Sequence, residues 1–159
     1  MKLFLVQHGE AVPKDMDPDR PLSDKGRADI GQLGHVLRAA DAVPARVIHS
    51  GKTRAGQTAQ ALAALAAPDV AIEASSGLDP KDPADAASAV LAAEDRDTMV
   101  VSHMPFVARL ASLLLTGKET RLTLAFEPGS CACLEREGGG WVLRWFLPTP
   151  LLEATSRPL

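Results

Sequence analysis

The sequence predicts an α/β fold of three layers, with helices on both faces of a mostly parallel sheet and an antiparallel hairpin near the C-terminus. Three observations carry this. Short apolar runs alternate along the chain with helix-like stretches, the pattern of strands crossed by helices. The run Thr98 to Ser102 is almost continuously apolar, as a central parallel strand covered on both faces should be. Late in the chain, Cys131 to Glu135 and Trp141 to Leu147 flank Gly138-Gly139-Gly140, which reads as a hairpin added to the sheet edge.

Taken in order, Lys2 to Gln7 is the first strand, and Pro13 to Pro21 is a long polar loop containing Arg20. A loop of that length usually serves a function or is mobile. Ser23 can cap a helix whose Ile30, Leu33, Gly34 and Leu37 share one face. Arg46 to Ser50 is the second strand, followed by an alanine-rich helix from Thr53 to Ala67 with Leu62 and Leu65 inward. Val70 to Glu73 is a short third strand. Asp82-Pro83 starts the next helix, since proline is tolerated in the first turn, and its expected buried face is Ala86, Ala87, Val90 and Leu91. After the fourth strand, Pro105 opens a helix through Leu115 that Thr116-Gly117 ends. From Pro148 the chain reads as a surface tail.

At 159 residues the chain fits one domain, residues 1–159, large enough to bury its own core. Apolar residues at 46% and charged residues at 23% match an ordinary globular protein. A net charge of −3 argues against a general nucleic-acid binder, whose affinity depends on a basic surface. No stretch approaches the roughly 18 apolar residues of a membrane helix, and the cytoplasm is the expected location. Cys131 and Cys133 are too close on one strand to bridge easily, so both are expected as thiols.

The sharpest local feature is Gln7-His8-Gly9, an imidazole where the first strand stops. Two later strand ends repeat the arrangement: His49-Ser50 followed by Arg54, and Ser102-His103. Ends of parallel strands share one edge of a sheet, so His8, Arg54 and His103 could meet there. Other readings are weaker. Gly51-Lys52-Thr53 looks like the end of a nucleotide-binding loop, but Arg46 occupies the place where that loop needs a glycine. His35 falls on the polar side of its helix, and His49 reads as a hydrogen-bonded structural histidine. A metal site from His8, His49, His103 and Asp79 would take each ligand from a separate segment with no His-x-x-x-His pair, so neither metal nor cofactor is expected.

The set as a whole is more specific than its parts: Gln7-His8-Gly9-Glu10, Arg20-Pro21-Leu22-Ser23-x-x-Gly26, Ser50-x-x-x-Arg54-Ala55-x-Gln57-Thr58 and Ser102-His103-x-Pro105. This order and spacing, over about residues 1 to 115, resembles the histidine phosphatase superfamily, and the short length is similar to its SixA-type phosphohistidine phosphatases. The resemblance implies a phosphoglycerate-mutase-like fold and a phosphatase that passes through a phosphohistidine at His8. It also implies a phosphate pocket built from Arg20, Arg54 and His103. The family usually carries arginine before the nucleophilic histidine, whereas this chain has Gln7, which can donate a hydrogen bond but has no charge. Lys14 and Lys52 are the cations that could compensate.

The residue types suit that chemistry on physical grounds. A phosphoryl group in transfer spreads negative charge over its oxygens, and a guanidinium forks onto two of them while staying charged. A neutral imidazole attacks through one nitrogen while a carbonyl holds the other N–H. His103, protonated beside a phosphate, would add charge and a donor, and the helix after Pro105 would aim its amides at the same anion. Asp79 and then Glu10 are the candidate proton donors for a leaving group, each with a plain reading as a loop acid. Three functions follow: a protein phosphohistidine phosphatase, a phosphate-binding pseudoenzyme, and a small-molecule phosphomonoesterase. The expected partner is a phosphorylated protein, such as a histidine phosphotransfer domain, or a small phosphate ester; neither nucleic acid nor membrane is expected.

Overall fold

The computed structural model describes residues 1–155. Six strands form one sheet in the order β3-β2-β4-β1-β5-β6. β1 (Lys2–Gln7), β2 (Arg46–His49), β3 (Ile72–Ala74) and β4 (Thr98–Ser102) run parallel. β5 (Cys131–Glu137) and β6 (Gly140–Leu147) are the antiparallel hairpin, with β5 paired to β1. Both hairpin arms run longer than their apolar runs suggest, because Gly138 and Gly139 adopt positive φ and close a tight turn that keeps the strands paired to Glu137 and Gly140.

Alternation along β1 sends side chains to two cores. Phe4 and Val6 face α1 (Asp24–Ala39), α2 (Thr53–Ala66) and α5 (Thr149–Thr155), while Leu3 and Leu5 face α3 (Ala84–Ala92) and α4 (Phe106–Thr116). The expected three-layer architecture is therefore present. Ser23 caps α1 by accepting from the Gly26 amide, Ile30, Leu33 and Leu37 are buried, and Gly117 ends α4 in the left-handed conformation.

Three expectations need correction. The third strand starts two residues later and ends one residue later than the Val70–Glu73 run, and it forms the sheet edge. The face of α3 is not the predicted one: Ala84 and Leu91 are buried, but Ala86 is exposed and Val90 is 54% exposed. α3 packs mainly on α4, which leaves an apolar groove of about 340 Å³ between Val90, Ala86, Leu78 and the sheet residues Ile48 and Val100. The segment after Pro148 is a short helix rather than a tail. Thr149 Oγ1 donates to the Pro128 carbonyl at 2.6 Å, and Leu152 is buried in the core beside α1.

Register sets the site. Gln7 pairs with Ser102 and His49 with Val101, so β1, β4 and β2 end level with one another. The residues that follow, His8, His103 and Ser50, emerge at the same edge of the sheet.

Candidate active site

A pocket of about 430 Å³ opens at that edge, lined among others by Gln7, His8, Glu10, Arg20, Arg54 and His103. The rings of His8 and His103 meet edge to face, with centroids 4.9 Å apart. The beginning of the chain and its later middle thus face each other across one cavity.

The tautomer of His8 follows from its partners. Arg54 Nε can only donate, and it lies 3.1 Å from His8 Nε2, so Nε2 holds a lone pair. Nδ1 lies 2.7 Å from the Gly9 carbonyl, which can only accept, so Nδ1 carries the proton. Burial lowers the pKa of His8 to about 4, against the raising effect of the Gly9 bond and with further lowering from Arg54 and Arg20. At neutral pH this imidazole is uncharged, with its unprotonated nitrogen turned toward a guanidinium.

The first turns of α2 organise the surrounding loops. Arg54 reaches the pocket, Gln57 Oε1 accepts from the Leu22 amide at 2.7 Å, and Thr58 Oγ1 accepts from the Gly9 amide at 3.0 Å while donating to the Arg54 carbonyl at 2.8 Å. Residues three and four apart share a helix face, so one face of α2 fixes the Arg20 loop and the His8 loop together. Gln57 and Thr58 belong to the Ser50-x-x-x-Arg54-Ala55-x-Gln57-Thr58 set, but the sequence assigns them no separate role; their 3–4 spacing from Arg54 is the signal for it. Gly26 is required by close approach, since a Cβ there would sit 2.1 Å from the Glu10 carbonyl oxygen. Arg20 has a left-handed φ of 50°, rare for a residue with a side chain, and its Nε donates to the Val12 carbonyl at 3.3 Å.

His103 is 2% exposed, and its Nε2 lies 2.6 Å from Ser50 Oγ. Its pKa is lowered to about 3, by burial first, then by His8, Arg54 and Lys52, with Asp79 opposing. The imidazole is therefore neutral at neutral pH. The amide of Val107 at the start of α4 is bonded to the His103 carbonyl, so this one of the amides expected to face an anion is already engaged.

Gln7 is 8% exposed and its side-chain Oε1 is buried without a hydrogen-bond partner. Lys52 Nζ pairs with Asp79 Oδ1 at 3.0 Å, and Lys14 is exposed on its loop. Glu10 Oε1 accepts from Ser23 Oγ at 2.7 Å. Both candidate proton donors are thus held by a neighbour, Asp79 by a lysine and Glu10 by a serine. His49 Nδ1 accepts from the Gly51 amide at 3.1 Å, His35 is exposed, and Cys131 and Cys133 are buried free thiols. Among the described residues no group of three or more His, Cys, Asp or Glu is arranged to hold a metal ion, and no helix is long and apolar enough to cross a membrane.

Comparison with known proteins fits this geometry. Residues 3–79 match the model of the histidine phosphatase superfamily (branch 1). The protein histidine phosphatase SixA, solved as a tungstate complex, superposes with a TM-score of 0.85 at 25% identity, covering 96% of this chain and 99% of that one. SixA from Agrobacterium tumefaciens gives 0.73 at 21% identity, covering 92% and 97%. Phosphoserine phosphatase from Entamoeba histolytica, in complex with 3-phosphoglyceric acid, gives 0.72 at 16% identity, covering 95% and 98%. No curated protein sequence matches the chain.

Proposed function

We propose that this chain is a histidine phosphatase that hydrolyses its substrate through a covalent phosphohistidine on His8 and acts on phosphohistidine in proteins, a reading supported by the match over residues 3–79 and by the SixA-like fold. The observation that carries the reading is the fixed tautomer of His8, with Nδ1–H on the Gly9 carbonyl and the Nε2 lone pair toward the pocket.

Nε2 attacks phosphorus as the bond to the leaving group breaks, and the electron pair stays on the departing atom. The phosphorylated ring carries positive charge, which the Gly9 carbonyl stabilises through Nδ1–H. Arg54 and Arg20 supply fixed donors to the phosphoryl oxygens, with His103 and the uncharged Gln7 beside them. Water then attacks phosphorus, the P–N pair returns to His8 Nε2, and inorganic phosphate leaves carrying one proton of the water while the other passes to solvent.

The state of the carboxylates supports the substrate class. Asp79 is ion-paired with Lys52 and Glu10 is hydrogen-bonded to Ser23, so each carboxylate already has a partner other than a leaving group. A departing imidazole nitrogen needs a proton donor far less than an alkoxide does. The likeness to SixA, at 25% identity over nearly the whole chain, supports the same choice. A second reading, a phosphate-binding protein without turnover, draws on the uncharged Gln7.

Phosphate release from a histidine-phosphorylated transfer domain, measured beside sugar phosphates and without added metal, tests the proposal. The phosphoprotein should be preferred, and Asp79→Asn should leave its rate within a few-fold. Preference for sugar phosphates with strong loss in Asp79→Asn would replace it with a small-molecule phosphomonoesterase. Anion binding with no release from either substrate would favour the pseudoenzyme.

A further inference from the structure

The two pocket histidines have partners of different kinds. His8 lies between a group that only donates, Arg54 Nε, and one that only accepts, the Gly9 carbonyl, which permits a single neutral tautomer. His103 Nε2 instead meets a hydroxyl at 2.6 Å, and a hydroxyl does both: it donates to a bare nitrogen and accepts from a protonated one. The other ring nitrogen of His103, Nδ1, is buried with no partner. The ring therefore has an ordered neighbour on one side that tolerates either charge state.

Several segments at this edge place charged and titratable groups on His103, and the Glu10 and Arg20 side chains line the same pocket. Those acting on the ring are His8 after β1, Lys52 and Arg54 at the start of α2, and Asp79 after β3. Burial, His8 and the cations keep the ring neutral. An anion seated between the two histidines reverses the sign of that field, and a proton from solvent becomes favourable on His103. A partner restricted to donating would oppose the change; a hydroxyl turns and accepts.

We propose that Ser50 is a positioning residue that lets His103 take up one proton when a phosphoryl anion enters and give it back to solvent when phosphate leaves. This rests on reading the pocket as a phosphoryl site, but it can be tested without turnover. Sulfate is a suitable probe, being tetrahedral and carrying no titratable proton near neutral pH. Its affinity should rise about tenfold for each pH unit of acidification between pH 8 and pH 6, one proton per anion. Nitrogen chemical shifts of His103 should be those of a neutral ring in the free protein and of an imidazolium in the sulfate complex at pH 6.

Ser50→Ala removes the acceptor and should weaken sulfate binding at pH 6 about tenfold or more, with much less effect at pH 8. Ser50→Thr keeps a hydroxyl and should restore both the affinity and its pH dependence. In turnover, Ser50→Ala should move the alkaline limb of the pH profile downward. Equal pH dependence in wild type and Ser50→Ala, or a neutral His103 in the sulfate complex, overturns the proposal. Sulfate binding with these signatures but no phosphate release from any substrate would sink the phosphatase reading and leave this one standing.

Discussion

The end of β1 and the end of β4 each deliver a histidine to one pocket, yet the two regions treat the ring differently. At the end of β1, His8 is held by an arginine on one nitrogen and a backbone carbonyl on the other, both of fixed hydrogen-bonding sense. At the end of β4, His103 is more deeply buried, meets a serine hydroxyl through one nitrogen, and leaves the other unpaired. A nucleophile gains from a single protonation state, because every molecule is then ready to attack. A group that must answer an arriving negative charge gains from being able to change. The contrast is that two rings of one residue type differ in the donor or acceptor sense of their neighbours.

The strongest way to break the comparison is His8→Ala. It should lower phosphate release about 10⁴-fold or more and remove acid-labile phosphate from acid-quenched protein, whereas retention of that label would place the nucleophile elsewhere. His103→Gln should cost less, about 10²- to 10³-fold, because it removes one stabilising donor and leaves the nucleophile. Single-turnover assays should still detect phosphate on His8 in that variant; a loss as large as that of His8→Ala would mean the two regions act as one unit.

Smaller again is the effect of Gln7→Arg. A charge-assisted hydrogen bond contributes roughly 1.5–3 kcal/mol, so turnover should rise about ten- to a hundredfold. An unchanged rate would show that Lys52 already supplies the missing charge by leaving Asp79, which the double variant with Lys52→Ala would reveal.

The mildest prediction concerns stability against pH. Both rings have pKa values below the ordinary 6.5, about 4 for His8 and about 3 for His103, with burial the main cause. Below pH 6.5 the unfolded chain binds protons that the folded chain refuses, so stability is full above 6.5 and declines as pH falls toward 3. Urea unfolding between pH 7.5 and 5, where carboxylates are not yet titrating, should show this decline. His103→Gln should make it shallower, and a flat profile in wild type would mean that these rings are better solvated than their packing indicates.

Much of the fold was legible before any coordinates. The ends of β1 and β4, the Ser23 cap, the Gly117 stop and the presence of the hairpin all follow from local periodicity and turn chemistry, which act over a few residues. The failures share a cause. The exposed face of α3 depends on how far that helix stands from the sheet, and the docking of Leu152 depends on α1, more than a hundred residues earlier.

The same division runs through the candidate site. The order of Gln7-His8, Arg20, Arg54 and His103 was readable, and the parallel register of β1, β2 and β4 is what brings their ends level. What the amino-acid order determined by itself is which chemical groups arrive at that edge, since strand lengths and helix starts are local properties. Only the tertiary structure decided that Thr58 braces the His8 loop, that Lys52 holds Asp79 and that Ser50 faces His103. The reason is physical: a hydrogen bond requires two groups within about 3 Å, and the partners here are 27 to 53 residues apart, brought together by packing the helices on the sheet.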